Sequence, residues 1–257
     1  MADWALILGA SSGFGAAIGR ELARAGLDIA GVHLDRRGTQ DLVDAATAGI
    51  RAHGREALFF NTNAAGDDER KVVLDALVAR GAQVRVLVHS LAFGTLKPLV
   101  GAAPGESVTR KQLEMTLDVM ATSLVYWSQG VVERGLMGAG GRIFAMTSSG
   151  GTRQLPQYGP VSAAKAALES YCRQLAMELA PRGIAVNAIR AGVTDTPALR
   201  KIPGADRLLS EAAARNPNHR LTTPDDVARC VAALCDERTG WLSGNTLGVD
   251  GGEDIVG

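Results

Sequence analysis

Residues 4–15 read WALILGASSGFG, an apolar run followed by a turn rich in glycine. The run Trp4–Leu8 has the length of a buried β-strand, and the residues after Gly15 show the apolar spacing of a helix. Glycines in the turn let the backbone approach a pyrophosphate, whose charge is attracted by the free N–H groups of the new helix. A plain strand–helix turn is the alternative. The order strand, turn, helix favours a dinucleotide-binding site.

Six more apolar runs follow along the chain, separated by segments with helical spacing. This alternation is typical of repeated strand–helix units, and it predicts a parallel sheet within one α/β domain spanning residues 1–257. The further predicted strands are Asp28–Val32, Ala57–Phe60, Val84–His89, Arg142–Met146, Ala185–Ile189 and Thr246–Val249. The predicted helices are Gly13–Ala25, Gln40–His53, Asp68–Arg80, Thr109–Leu136, Pro160–Ala180 and Pro224–Cys235.

The segment Thr194–Leu221 is less regular than the rest, with three prolines around a short helical run at Arg207–Arg215. Long excursions are uncommon in domains whose other connections are brief, and many of them cover a binding site. We therefore expect residues 194–221 to form a substrate-binding lid. A simple surface insertion is the alternative.

Composition excludes several classes of function. The chain has 27 Lys plus Arg and 27 Asp plus Glu, so no net charge attracts nucleic acid or an anionic membrane. No apolar stretch approaches the length of a membrane span, and the first residues lack the basic charge of a signal peptide. The three cysteines lack metal-ligand spacing. We expect a soluble, cytoplasmic protein without a metal site.

The stretch QYGPVSAAK, residues 157–165, carries the candidate catalytic pair Tyr158 and Lys165. A carbonyl reductase that protonates its substrate usually keeps these two residues four positions apart, one turn of helix. Here that position is Val161, which cannot donate a proton. Pro160 favours a helix start, which places Tyr158 in the preceding loop. Either the site is inactive, with Tyr158 and Lys165 at the surface, or Tyr158 has taken over the acid role.

These motifs resemble the short-chain dehydrogenase/reductase family over Ala5–Gly252, through the glycine turn, Ser148 and the tail NTLGVDGG at 245–252. The chain departs from the usual pattern at His89-Ser90-Leu91-Ala92, at Met120 and at Val161. VHSLAF at 88–93 and the wide Tyr–Lys pair are similar to the enoyl-acyl-carrier-protein reductase branch, in its form with the ordinary glycine turn. The resemblance implies a Rossmann fold with a doubly wound, seven-stranded parallel sheet and helices on both faces.

The resemblance also implies a reaction of lipid metabolism, hydride transfer from a reduced nicotinamide to the β-carbon of a 2-enoyl thioester. Tyr158 would donate a hydrogen bond to the enolate oxygen, and Lys165 would hold the nicotinamide ribose. Ser148 suits either enoyl or carbonyl chemistry, or it caps the loop after its strand. His89 ends a buried strand and is interpreted as a structural group. Two alternatives remain: a 3-ketoacyl or other carbonyl reductase, and a dinucleotide-binding protein without catalysis.

The cofactor expected from the second strand is NADP(H), with NAD(H) possible. The family's acidic position falls on His33, so Arg36 or Arg37 would bind a 2′-phosphate, whereas Asp35 could bind an unphosphorylated ribose. The full set of predicted cofactor contacts is Gly9, Ser11, Ser12, Gly13, Phe14, Gly15, Arg36, Arg37, Asn63, Ala64, Ser90, Leu91, Ala92, Lys165, Gly192, Val193 and Thr196.

Two kinds of protein partner are expected. The resemblance implies a homotetramer built partly on the helix Leu113–Val132, whose apolar residues occupy more than one face. The resemblance also implies an acyl thioester substrate, on coenzyme A or on an acyl carrier protein. A carrier protein is acidic and would need a basic patch, which Arg200, Lys201, Arg207 and Arg215 could supply.

Overall fold

The structure is a computed structural model that describes residues 3–35 and 37–256. Seven strands form one parallel sheet in the order β3-β2-β1-β4-β5-β6-β7. This confirms the predicted doubly wound fold, since the chain runs from β1 outward in one direction, then returns and continues in the other. The strands are β1 Asp3–Leu8, β2 Asp28–His33, β3 Ala57–Asn61, β4 Gln83–His89, β5 Arg142–Ser148, β6 Ala185–Ala191 and β7 Thr246–Val249.

Helices cover both faces of the sheet, and each face has its own apolar core. One core joins the sheet to α3, α5 and α6, and the other joins it to α1, α2 and α8. Burial on both faces explains why the central strands are continuously apolar in sequence. The helices are α1 Gly13–Arg24, α2 Gln40–Arg51, α3 Asp67–Ala79, α4 Arg110–Leu117, α5 Ser123–Glu133, α6 Gly159–Leu179, α7 Ala205–Arg215 and α8 Pro224–Ala233.

The helix predicted over Thr109–Leu136 spans Arg110–Glu133, but it is not a regular α-helix throughout. A π-helical turn, Asp118–Thr122, separates α4 from α5, and the second helix ends at Glu133. Side-chain hydroxyls bond to the backbone at this turn: Thr122 Oγ1 lies 3.2 Å from the Asp118 carbonyl oxygen, and Ser123 Oγ lies 2.9 Å from that of Val119. Such bonds widen or bend a helix. Apolar spacing alone does not reveal them.

Parallel strands place all their carboxyl ends at one edge of the sheet. The loops after β1, β4, β5 and β6 therefore meet there, as ligand sites in such folds do. These four loops carry most of the predicted site residues. Among the described residues, no helix is long and apolar enough to cross a membrane, and no cluster of His, Cys, Asp or Glu could hold a metal ion.

Candidate active site

The glycine-rich turn between β1 and α1 has no room for a side chain at Gly9 or Gly15. Gly9 and Gly13 adopt positive φ values of 87° and 53°. A Cβ on Gly9 would collide with the carbonyl oxygen of Ser90, and a Cβ on Gly15 would collide with that of Gly9. The Ser12 side chain makes no capping hydrogen bond to α1, so the first N–H groups of this helix stay available to an anion. This geometry fits a pyrophosphate.

Tyr158 is the residue immediately before α6, as Pro160 in the first turn predicts. Its ring lies against Gly150, where a Cβ would stand 2.5 Å from the ring carbon Cε1. Burial raises the pKa of Tyr158, and the neighbouring Ser148 hydroxyl partly opposes that rise. The phenol is therefore neutral near pH 7 and can donate a hydrogen bond. Ser148 Oγ itself is buried and makes no well-aligned hydrogen bond to the described residues.

Lys165 lies in the second turn of α6 with only 6% of its surface exposed. Its Nζ donates a hydrogen bond to the Met146 carbonyl oxygen at 2.6 Å. Burial lowers the pKa of Lys165 to about 8, although the charge of Glu169 opposes this effect. An ammonium has three N–H donors, so two remain for a ligand.

A cavity of about 370 Å³ brings the predicted residues together at the carboxyl edge of the sheet. Ser148, Tyr158 and Lys165 all line it. The predicted lid supplies part of its wall, through several residues between Thr194 and Arg215. A second cavity, between Asn216 and Gly251, contains none of the predicted site residues. The predicted cofactor contacts that line the first cavity are Phe14, Ser90, Leu91, Ala92, Lys165, Gly192, Val193 and Thr196.

Apart from Phe14, the predicted contacts of the glycine turn, together with Asn63 and Ala64, lie outside this cavity. Gly9, Ser11, Ser12, Gly13 and Gly15 form the adjoining turn. Asn63 and Ala64 follow β3, where Asn63 Oδ1 accepts a hydrogen bond from the N–H of Ala65 and the Ala64 carbonyl accepts one from Trp127. Ala64 is thereby part of the core between α5 and the sheet.

Met120 and Val161, the two departures from the usual catalytic pattern, are apolar parts of the cavity wall. They are 2% and 4% exposed. Both pack against Gly94 in the loop after β4, where a Cβ would be 2.8 Å from Met120 Sδ and 3.0 Å from Val161 Cγ2. Neither can donate a proton, and Tyr158 supplies the phenol of this cavity.

Comparison with known proteins identifies the family of this chain. A family model described as "Enoyl-(Acyl carrier protein) reductase" matches residues 9–253. The chain belongs to the short-chain dehydrogenase/reductase family. It resembles the enoyl-acyl-carrier-protein reductase branch, as the sequence motifs predict. Family membership identifies an oxidoreductase fold with a nicotinamide-dinucleotide site.

Relatives of this short-chain dehydrogenase/reductase have more than one activity. The 1-cyclohexenylcarbonyl-CoA reductase of Streptomyces collinus is 30% identical over 98% of this chain and 86% of its own length. The cis-4-hydroxycyclohexanecarboxylate dehydrogenase of Sinomonas cyclohexanicum is 28% identical over 98% and 96%. The crystal structure of the enoyl-[acyl-carrier-protein] reductase (NADH) of Aquifex aeolicus superposes with a TM-score of 0.86, at 25% identity over 99% and 97%. Family membership therefore leaves the substrate open.

At the end of β2 the structure places an acid beside the glycine turn. Asp35 is held by Asn61, which accepts its N–H at 3.1 Å and donates to its carbonyl at 3.0 Å. Burial opposes ionisation of the Asp35 carboxyl, but hydrogen bonds from Ser11, Thr39 and His33 lower its pKa. Arg36 lies outside the described residues, and Arg37 belongs to the short 3₁₀ turn Arg37–Thr39. Among the described residues at the end of β2, Asp35 is therefore the acid that faces the glycine-rich turn.

His89 is fully buried at the end of β4, and its Nε2 lies 2.8 Å from Ser123 Oγ. Burial lowers the pKa of His89 to about 3, and the charge of Lys165 adds to this effect. The ring is therefore neutral at physiological pH. Since His89 does not line the cavity, its geometry suits a packing role beside the π-helical turn.

Glu253 is a structural support of the site that local sequence patterns do not reveal. This residue is 3% exposed and lies in the C-terminal turn. Its Oε2 accepts the N–H of Val193 at 2.9 Å, and its Oε1 accepts a hydrogen bond from Arg215 at 3.1 Å. It therefore ties the loop after β6 to α7. The only sequence signal is an acid next to the glycine pair at 251–252.

The basic patch predicted near the lid is mostly neutralised. Arg200 bonds to Asp195 and Asp206, and Arg207 bonds to Glu211. Arg215 bonds to Glu253. Of the four predicted cations, only Lys201 has no ion pair with a described residue.

Proposed function

We propose that this protein reduces the carbon–carbon double bond of 2-enoyl thioesters with a reduced nicotinamide cofactor. The observation that supports it best is the cavity that joins the Tyr158 phenol and the Lys165 ammonium, with apolar Met120 and Val161 at the usual carbonyl-reductase positions. The bound nicotinamide would supply a hydride to the β-carbon. Electrons would then move to the thioester oxygen, and the resulting enolate would take a proton from solvent water at its α-carbon.

Tyr158 would donate a hydrogen bond to that oxygen as its negative charge develops. The neutral state of its buried phenol suits this task, because an ionised phenol has no proton to donate. Lys165 would hold the ribose hydroxyls with its two free N–H donors and place positive charge near the enolate. The apolar wall formed by Met120, Val161 and the lid residues Leu199 and Ile202 would contact the acyl chain.

The direct test is oxidation of the reduced cofactor in the presence of crotonyl-coenzyme A and longer 2-enoyl thioesters. We expect turnover with enoyl substrates and little with the matching 3-ketoacyl thioesters. A preparation that reduces the ketoacyl substrates and ignores the enoyl ones would contradict the proposal. Cofactor binding without turnover on either panel would instead favour the non-catalytic alternative.

A carbonyl or alcohol dehydrogenase is the second candidate, and one observation favours it. The buried Ser148 hydroxyl lines the cavity and makes no well-aligned bond to described residues, so it could donate to a carbonyl oxygen. The Sinomonas relative is named as a dehydrogenase of a hydroxy acid. Comparison of enoyl and ketoacyl substrates on one preparation separates the two candidates.

We also propose that the cofactor is NAD(H), in place of the NADP(H) favoured by the sequence. The Asp35 carboxylate lies beside Ser11 of the glycine turn. A carboxylate accepts hydrogen bonds from the ribose hydroxyls of NAD(H) but repels the 2′-phosphate of NADP(H). The Aquifex neighbour is named as an NADH enzyme.

Replacement of Asp35 with serine should shift this preference. We expect the ratio of kcat/KM for NADH over NADPH to fall about 10-fold or more, since hydrogen bonds to a charged group contribute about 1.5–3 kcal/mol. Steady-state rates with both cofactors measure the ratio. Asp41→Ser, at the first turn of α2, is the matched control and should leave the ratio unchanged. A wild-type preference for NADPH would contradict the assignment.

A further inference from the structure

The last residues of β5 meet α6 side by side. The Met146 carbonyl accepts the hydrogen bond from Lys165 Nζ at 2.6 Å, and Thr147 Oγ1 donates to Glu169 Oε1 at 2.7 Å. Glu169 lies one helical turn after Lys165, so the two side chains share a face of α6. Glu169 thus contacts the strand residue directly after the one that holds Lys165.

Glu169 also borders the turn that follows Ser148. A Cβ on Gly151 would stand 3.0 Å from Glu169 Oε1 and 3.6 Å from the Cβ of Lys165. The carboxylate therefore fills the space between α6, the end of β5 and the 3₁₀ turn Ser149–Gly151.

Four titratable groups surround Lys165. On α6, burial raises the pKa of Cys172 to about 12, and on β4, burial lowers the pKa of His89 to about 3. Burial also raises the pKa of Tyr158. These three groups are therefore uncharged between pH 6 and 9. In the described part of the chain, Glu169 is the negative group that acts on Lys165 in this range.

We propose that Glu169 is a positioning residue that keeps Lys165 protonated and fixes the end of β5 beneath the cofactor. The proposal rests on the proposed function in one respect, that Lys165 binds the nicotinamide ribose. It does not depend on which substrate is reduced. Its consequence is that NADH affinity depends on pH through Lys165, at a pH set by the charge of Glu169.

The test measures the dissociation constant of NADH by fluorescence titration between pH 6 and 9.5, without substrate. Glu169→Gln keeps an oxygen that can accept from Thr147 but removes the charge. Loss of a nearby negative charge lowers a lysine pKa, so the midpoint at which affinity falls should move down by about one pH unit. At pH 8 the variant should bind NADH about 3–10-fold more weakly than wild type, and at pH 6 about equally.

Three further variants make the result decisive. Glu169→Asp keeps the charge and should restore the midpoint, whereas Thr147→Val should weaken NADH binding at every pH without moving the midpoint. Glu178→Gln, an exposed change on the same helix, should alter neither. Glu169→Gln with a wild-type midpoint, or Glu169→Asp with a lowered one, would overturn the proposal. If Glu169→Gln does not fold, a lowered midpoint in Glu169→Asp or unchanged NADH affinity in Thr147→Val would still overturn the proposal.

Failure of the proposed function has a different signature. Lys165→Met should remove the pH dependence of NADH binding altogether. If the pH dependence persists in that variant, Lys165 is not the cofactor ligand and the proposed function is at fault. A missing rate on enoyl thioesters leaves the NADH titration unaffected.

Discussion

Replacement of Tyr158 with phenylalanine should lower kcat for enoyl-thioester reduction about 100-fold, because one well-placed donor to a developing oxyanion contributes about 3 kcal/mol. The change removes one oxygen and keeps the ring that packs against Gly150. NADH affinity should stay within about twofold, since the phenol acts on the substrate oxygen in the transition state. Steady-state kinetics with crotonyl-coenzyme A and an NADH titration measure both quantities.

Tyr126→Phe is the matched control for this experiment. Tyr126 lies on α5, is 40% exposed and stacks beneath the guanidinium of Arg70, outside the cavity. The same loss of one hydroxyl there should leave kcat unchanged. Full activity in Tyr158→Phe would show that another group stabilises the enolate, with Ser148 the first to examine.

Replacement of Gly15 with alanine should weaken NADH binding about 10-fold or more, because overpacking a close contact costs about 1–3 kcal/mol. The new Cβ would collide with the carbonyl oxygen of Gly9, and neither backbone can move without opening the turn. A wider turn no longer presents the first N–H groups of α1 to a pyrophosphate. Fluorescence titration gives the affinity, and thermal unfolding gives the change in stability.

Gly49→Ala is the control for the change of residue type. Gly49 lies inside α2, and a Cβ there would meet Arg20 Cδ at 3.5 Å and Arg20 Cγ at 3.8 Å, which are ordinary contacts. Alanine there should raise stability by about 0.4–1 kcal/mol and leave NADH affinity unchanged. If Gly15→Ala binds NADH as tightly as Gly49→Ala does, the close packing of the turn is not needed for the cofactor.

Local patterns predicted the strands and most helices to within a few residues. The strand starting at Thr246 and the helix starting at Gln40 begin at their predicted residues, because apolar spacing and flanking glycines act over short stretches of chain. The π-helical turn at Asp118–Thr122 escaped prediction, since it depends on hydroxyl bonds that leave the apolar spacing intact.

Several supports of the site could not be predicted from neighbouring residues. Glu253 reaches Val193 across 60 positions of sequence, and Glu169 reaches Thr147 across 22. Asp35 was considered only as an alternative to two arginines, because its position beside Ser11 depends on how the turn after β2 folds. In each case the partner is distant in sequence.

By itself, the spacing of residues within about 20 positions predicted a parallel α/β sheet, the glycine turn and a loop position for Tyr158, and the family resemblance predicted the doubly wound order of the strands. Only the tertiary structure decided that Ser148, Tyr158 and Lys165 share one cavity and that Asp35 faces the glycine turn. Those facts depend on which side chains come into contact where separate strands end at the same edge of the sheet. The spacing of apolar residues along one strand or helix does not predict such contacts.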